Sequence, residues 1–384
     1  MWYPMRGNEA SAGGGMGKSR FVTTALVVAA LCTAGCDSGN TAQSGEARSQ
    51  SLSERCELRR QETSGRRVVN GEPAKPGSAP WQAEIFSPPR YTEEDKRFDS
   101  TLSDGDECKV YLDQRQDFEL QHQCGGSYIG DGWVITAAHC VVDIRGFDGP
   151  DDTIADASGN AVNNPRNAIK YRTIRLGTQN LTGDGAVFEI ESIVLHGEYR
   201  NAAKLHDIAL IKLKQSAELA RLQDAGKLAP VQLARSTDRD FDEGEILRVT
   251  GWGWMGHRDA DAMVTRLDST DKVQRNPPEL QQLSVRYQPD EVCTREYGEL
   301  YGPGSLCAGS LDSQAQEGTC QGDSGGPLTR QDDGGRTLVG LVSFAKGCAA
   351  GKPVVYTRVS HYDRWIDAAK SRARPNEVVS FSLR

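Results

Sequence analysis

Short runs of apolar residues, many of them alternating with polar ones, recur along most of this chain, separated by Gly, Asn and Asp. Trp81–Phe86 is the first. From Cys124 they come regularly: 127–129, 133–136, 171–176, 188–195, 208–213, 245–250, 281–285, 338–344 and 354–359. A period of two over four to eight residues is the pattern of a half-buried strand. Many such runs joined by turns predict an all-β sandwich or barrel. A helical pattern is predicted only at 362–370, where Trp365, Ile366 and Ala369 share a face. Three polar stretches interrupt the strands, at 87–123, 143–168 and 254–276, and are predicted to be surface insertions. Residues 37–53, rich in Ser, Gly, Gln and Ala, cannot bury a core and read as a linker.

Composition narrows the class. The chain has 384 residues and a formal net charge of −8. The excess of acid lies beyond residue 67, and no basic stripe accompanies it, which argues against nucleic acid as a partner. A chain this long needs no covalent staples to hold a core. Its ten cysteines therefore point to an oxidising compartment. Phe21–Leu31 is an apolar run preceded by Lys18 and Arg20, too short to span a bilayer and suited to an export signal. Leu31-Cys-Thr-Ala-Gly-Cys36 then resembles a bacterial lipobox, with Thr33 where an aliphatic residue is usual. Lipidation at Cys36 and simple secretion are both consistent with that segment. The expected organisation is a signal over 1–35, a linker and prosegment over 36–67, and one folded domain over 68–384.

Candidate chemistry centres on Gly318-Thr-Cys-Gln-Gly-Asp-Ser-Gly-Gly-Pro327. A serine among glycines suits a nucleophile on a tight turn, because glycine reaches dihedrals closed to other residues. The N–H groups of Gly322 and Ser324 can then converge on a developing oxyanion. Two further sites complement the serine. Thr136-Ala-Ala-His-Cys140 ends a predicted strand with a histidine, and His206-Asp-Ile-Ala-Leu210 sets an acid at the mouth of another. A serine hydroxyl needs a base to take its proton. An imidazole does so near neutral pH, and a buried carboxylate fixes the tautomer that can.

With these motifs the sequence resembles the trypsin/chymotrypsin family of serine proteases, from about Val68 to the C-terminal helix. The resemblance rests on Thr136–Cys140, Asp207–Leu210, Gly251-Trp-Gly253, Cys320–Pro327 and Val342-Ser-Phe344, in the family's order. It implies two packed six-stranded antiparallel β-barrels with the site between them, and no cofactor. It implies His139 as general base and acid, Asp207 as its orienting partner, Ser324 as nucleophile, and Gly322 with Ser324 as oxyanion hole. Ser343 would support Asp207. Ser343–Ala345 would pair with an extended peptide or protein substrate. It implies disulfides Cys124–Cys140, Cys293–Cys307 and Cys320–Cys348, the first closing a loop that contributes about 3 kcal/mol. If the signal is removed and Cys36 acylated, eight cysteines remain and Cys56–Cys108 is the leftover bridge; the alternative is that both are free or mispaired.

The resemblance also implies a zymogen. Cleavage after Arg67 would free the ammonium of Val68 to pair with Asp323, and the Cys56–Cys108 bridge would keep the prosegment attached. The trypsin branch of the family has an acid where Gly318 stands, and open glycines where Ala345 and Val354 stand. The pocket is therefore expected to be narrow and uncharged, taking Ala, Val or Leu, with a wider apolar slot or an acid-binding one at Lys346 and Lys352 as alternatives. Such an enzyme would not cut after its own Arg67, so a separate activating protease is expected. Thr178 after Leu176-Gly177 departs from the family's calcium loop, and the cysteines and histidines show no metal-binding spacing, so no metal site is expected. Two rivals remain. One is a catalytically silent relative acting as a binding module. The other is a serine esterase, since Gly322-Asp-Ser-Gly-Gly326 fits Gly-x-Ser-x-Gly, although Pro327 and the strands beyond it offer no helix.

Overall fold

The computed structural model describes residues 71–87, 101, 117–142, 153–155, 161–163, 166–183, 185–200, 204–254, 257–259, 262–264, 266–267, 273–274, 276–311, 318–320, 322–346 and 351–383. Six strands of the first half are β1 (Gln82–Phe86), β2 (His122–Tyr128), β3 (Trp133–Thr136), β4 (Thr173–Leu176), β5 (Ala186–His196) and β6 (Ala209–Leu213). They pair in the order β5–β4–β1–β2–β3–β6, and β6 returns to β5. Six strands of the second half are β7 (Ile246–Gly251), β8 (Gln281–Tyr287), β9 (Ser305–Ser310), β10 (Pro327–Asp332), β11 (Gly335–Ala345) and β12 (Val354–Arg358). Their order is β8–β7–β10–β11–β12–β9, and β9 returns to β8. Both are closed antiparallel barrels, so neither leaves a long exposed edge for another chain to pair with. Short strands add outside them: Glu72–Pro73 on β8, Gln232–Leu233 parallel to β11, and Val378–Phe381 parallel to β5.

Each barrel is filled by the residues that alternate inward. Ala83, Ile85, Val134, Ile174, Leu176, Ile193 and Ile211 fill the first, and Leu247, Val285, Leu306, Leu328, Val339 and Tyr356 the second. Each large side chain so buried contributes about 1.5–3 kcal/mol. Six α-helices accompany the strands among the described residues: the short Asp117–Gln121 and Arg166–Tyr171, and four labelled α1 (His139–Val142), α2 (Ala217–Asp224), α3 (Asp290–Tyr297) and α4 (Asp363–Lys370). α4 lays Trp365, Ile366 and Ala369 onto the core of the first barrel, the face its sequence predicts.

The structure departs from the sequence reading in three places. β9 and β10 carry too few large apolar residues to announce themselves as strands. α2 and α3 were not predicted, and each buries only one or two side chains: Leu222 in α2, Cys293 and Tyr297 in α3. Finally, the ends of the predicted insertions belong to the fold. Asp117–Gln121 is helical and buries Phe118 and Glu119, β2 begins at His122, and Asn167, Ala168 and Asn276 are also buried. A buried polar residue satisfied by hydrogen bonds looks, in sequence, like a surface one.

Candidate active site

β3 ends at Thr136, and the chain passes through buried Ala137 and Ala138 into α1, whose first residue is His139. The Cys124–Cys140 disulfide ties this turn to β2. Asp207 lies just before β6 and is 1 % exposed. Its Oδ2 accepts the His139 Nδ1–H at 2.8 Å, and its Oδ1 accepts the His139 backbone N–H at 2.9 Å. The Ser343 hydroxyl donates to Oδ2 at 2.6 Å, and the Thr357 hydroxyl donates to the Asp207 carbonyl at 2.8 Å. Ser343 reaches across because β11 bulges between Val342 and Phe344, which re-aims one side chain. Burial alone would raise the Asp207 pKa. The charge of His139 and the hydrogen bonds from His139 and Ser343 outweigh it and hold the carboxyl below its usual range.

Ser324 comes from the other barrel, on the turn before β10. The backbone N–H of Gly125, in β2, donates to the Ser324 carbonyl at 2.7 Å, and that of Gly325 donates to Val342 at 2.7 Å. Gly325 has φ +73°, and a Cβ there would fall 2.1 Å from Thr136 Oγ1. The serine turn is thus bonded through the backbone to β2 and packed against Thr136, which ends β3 three residues before His139. A Cβ on Gly125 would likewise stand 2.8 Å from the Cα of Gly326.

Gly322 is held from three sides. It has φ +97°, and a Cβ would meet His122, Asn276 and Gly253 at 3.0–3.2 Å. Its carbonyl is 2.9 Å from His122 Nε2, and His122 Nδ1 is 3.1 Å from the buried Glu84, which Arg175 approaches at 3.3 Å. Asn276 donates from Nδ2 to the Trp252 carbonyl at 2.7 Å and from its backbone to Glu119 Oε1 at 3.1 Å. Sequence reasoning missed these supports. His122, Glu119 and Asn276 fall inside stretches that looked like surface insertions, and nothing in their spacing marks them.

Asp323 is buried, accepting the Gly253 N–H at Oδ1 (2.8 Å) and the Cys320 N–H at Oδ2 (2.9 Å). Gly251 and Gly253 must be glycine here, since a Cβ on either would fall 2.1–2.2 Å from a carboxylate oxygen. Burial raises the Asp323 pKa, and the two N–H groups and His122 only partly offset it. Its expected partner Val68, with Arg67, lies outside the described residues, as do Cys36, Cys56, Cys108 and Cys348. Cys293–Cys307 forms as expected, and Cys320 is disulfide-bonded.

Of the predicted pocket residues, Phe344, Ala345 and Val354 lie side by side in the β11–β12 ladder. Ala345 stands opposite Val354 in the β11–β12 ladder, and Phe344 opposite Val355. Gly318, Thr319, Val354 and Tyr356 are buried. The β10–β11 ladder ends at Pro327↔Leu341 while β11–β12 runs on to Ala345, which leaves one edge of Ser343–Ala345 without a strand partner among the described residues. Lys346 and Lys352 both pair with Glu296, at 3.2 and 3.0 Å. Behind Asp207, the rings of His196 and His206 stack with centroids 4.6 Å apart. Burial, with His206 and His361 nearby, pushes the His196 pKa down to about 4.

Among the described residues no helix is long and apolar enough to cross a membrane. The family model described as Trypsin matches residues 103–366. A "Vitellin-degrading protease" of Bombyx mori is 29 % identical over 265 residues, covering 68 % of this chain and 81 % of its own. Two closed barrels, the arrangement at their junction and this match over most of the chain agree: the protein belongs to the trypsin family of serine proteases.

Proposed function

We propose that the chain is a serine endopeptidase that cleaves through an acyl-enzyme on Ser324. The observation that carries this is the buried Asp207 carboxylate, which takes both the ring and backbone N–H of His139 beside the turn of Ser324. Asp207 holds the imidazole with its proton on Nδ1, so that Nε2 is the basic nitrogen. Nε2 removes the Ser324 proton as Oγ attacks the scissile carbonyl. The C=O bond opens to an oxyanion, which the N–H groups of Gly322 and Ser324 receive. On collapse the C–N bond breaks, and the imidazolium returns its proton to the leaving amine. Water then repeats the sequence and frees the acid. The unpaired edge of Ser343–Ala345 lays the substrate in as an added strand.

In this proposal residues 1–35 direct export, with Cys36 lipidated or the chain simply secreted, and 36–67 form a prosegment. Cleavage after Arg67 by another protease frees Val68 to pair with Asp323. Ala345 and Val354 narrow the pocket and Gly318 leaves it uncharged, which favours Ala, Val or Leu before the scissile bond. Lys346 and Lys352 share the Glu296 carboxylate, which leaves one net positive charge between them and weakens the case for an acidic preference. The test is a peptide-library cleavage profile of chain beginning at Val68, against its Ser324→Ala form. Cleavage after small aliphatic residues, absent in the control, supports the proposal. Cleavage after Lys or Arg refutes the pocket, and none at all favours a silent binding module.

A further inference from the structure

Three of the chain's six histidines converge behind the Asp207 segment. They come from two distant parts of the sequence. His196 ends β5, His206 immediately precedes Asp207, and His361 precedes α4. Donor atoms of His196, Glu198 and His206 lie within 4.8 Å of one another. Four bonds of 2.0–2.1 Å in a tetrahedron set ligand atoms about 3.4 Å apart, so the group closes around one ion once the stacked rings of His196 and His206 turn out of their parallel arrangement. The hydrogen bonding leaves lone pairs to use. His206 Nδ1 faces the Tyr362 hydroxyl at 3.1 Å. With Nδ1–H donated to that oxygen, the Nε2 lone pair is free, and the ring is oriented as an outer partner orients a metal ligand. His196 Nδ1 accepts only a long bond, 3.3 Å, from the Glu198 backbone N–H, on the side where the exposed Glu198 carboxylate begins. His206 also has φ +54°, an unfavourable backbone for a residue with a Cβ, and the surrounding contacts hold it there.

We propose that His196, Glu198 and His206 form a regulatory site for a borderline divalent transition-metal ion, Zn2+ first among them, whose occupation slows the enzyme. Two imidazoles and one carboxylate suit that class, with water or His361 in the fourth position, whereas Ca2+ and Mg2+ need more oxygen. The second grouping of metal-capable atoms, Cys124, His139 and Cys140, offers two sulfurs already spent in a disulfide. Occupation would act through the peptide bond joining His206 to Asp207. Closing on the ion draws His206 out of its present position, and the carboxylate that orients His139 is attached to the next Cα. The ion's charge also competes with the imidazolium that Asp207 stabilises. The substrate edge and pocket lie on the other barrel and are untouched, so kcat falls and KM does not. This kinetic part rests on the peptidase reading; the binding part does not.

The experiment uses full-length chain and its inactive Ser324→Ala form, titrated with Co2+ followed by visible absorption and with Zn2+ followed by calorimetry and melting. Expected is one ion per chain, tetrahedral-type Co2+ bands and a rise in Tm. Glu198→Gln, an exposed change that leaves the fold and basal activity intact, should weaken Zn2+ by at least about tenfold. His196→Gln should abolish the bands. In the active chain, saturating Zn2+ should lower kcat about 5–150-fold, the span of coupled sites, less so in Glu198→Gln. No saturable binding, or binding that Glu198→Gln and His196→Gln both leave unchanged, overturns the site. Binding with no change in kcat overturns its regulatory role. If the chain proves to have no peptidase activity, the absorption and melting results still decide the site.

Discussion

Replacing Ser343 by Ala removes one oxygen and isolates what the second barrel gives to the triad. Ser343 is 6 % exposed and its hydroxyl donates to Asp207 Oδ2 at 2.6 Å. Hydrogen bonds to charged groups contribute about 1.5–3 kcal/mol, and the cost should sit at the high end here because the carboxylate is buried and no solvent replaces the donor. The effect must depend on pH. The native Asp207 pKa lies below its usual range. Such a group adds stability that is complete above the unfolded pKa of about 3.9 and fades as pH falls through the native value. Ser343→Ala therefore costs about 1.5–3 kcal/mol at pH 7 and little once Asp207 is protonated. The assay is denaturant unfolding at both pH values in a Ser324→Ala background, which prevents self-digestion. An equal loss at neutral and strongly acid pH would show that the serine only packs there, and the reasoning would fail. In active enzyme the same change should lower kcat by no more than about 150-fold, since 1.4 kcal/mol is a factor of ten and the bond is present in ground and transition states alike.

Other perturbations separate the parts of the site. Asn276→Ala strands the buried Trp252 carbonyl and should cost about 1–3 kcal/mol in unfolding experiments while lowering kcat more than it raises KM. Gly325→Ala places a Cβ 2.1 Å from Thr136 Oγ1 and should abolish activity; Gly77→Ala, at a similar φ but with nothing within 4 Å, should cost only about 1–2 kcal/mol on thermal melting. Asp323, whose pKa burial raises, penalises the native state once pH climbs above the unfolded value, unless a cation joins it. Asp323→Asn should therefore stabilise chain still joined at Arg67 at pH 7 and destabilise chain beginning at Val68; melting the four proteins checks both signs.

The sequence made the chemistry easier to read than its supports. The runs 208–213 and 338–344 are apolar but for Lys212 and Ser343, and His139, Asp207 and Ser324 sit in motifs whose residue types the reaction demands. Pro327–Asp332 is a strand only because closing the barrel pairs it with β7 and β11, a long-range cause that leaves no local pattern. α2 needs a single buried leucine and the cap from Ser216, too little for a periodic signal. Glu119, His122 and Asn276 are interior because they meet one another or Gly322, and a polar side chain does not disclose its partner. His196 and His206 stand ten residues apart in sequence and stack in space, where Arg200 pairs antiparallel with Leu205 between them.

The most direct test of the central claim is the identity and rate of the serine that reacts with an active-site-directed phosphonate, read by intact-mass and peptide analysis of chain beginning at Val68. The account predicts one adduct per chain, on Ser324, forming about 10²–10⁴ times more slowly in His139→Ala, which lacks the base. Absence of an adduct on folded protein, labelling of a different serine, or an unchanged rate in His139→Ala would contradict it.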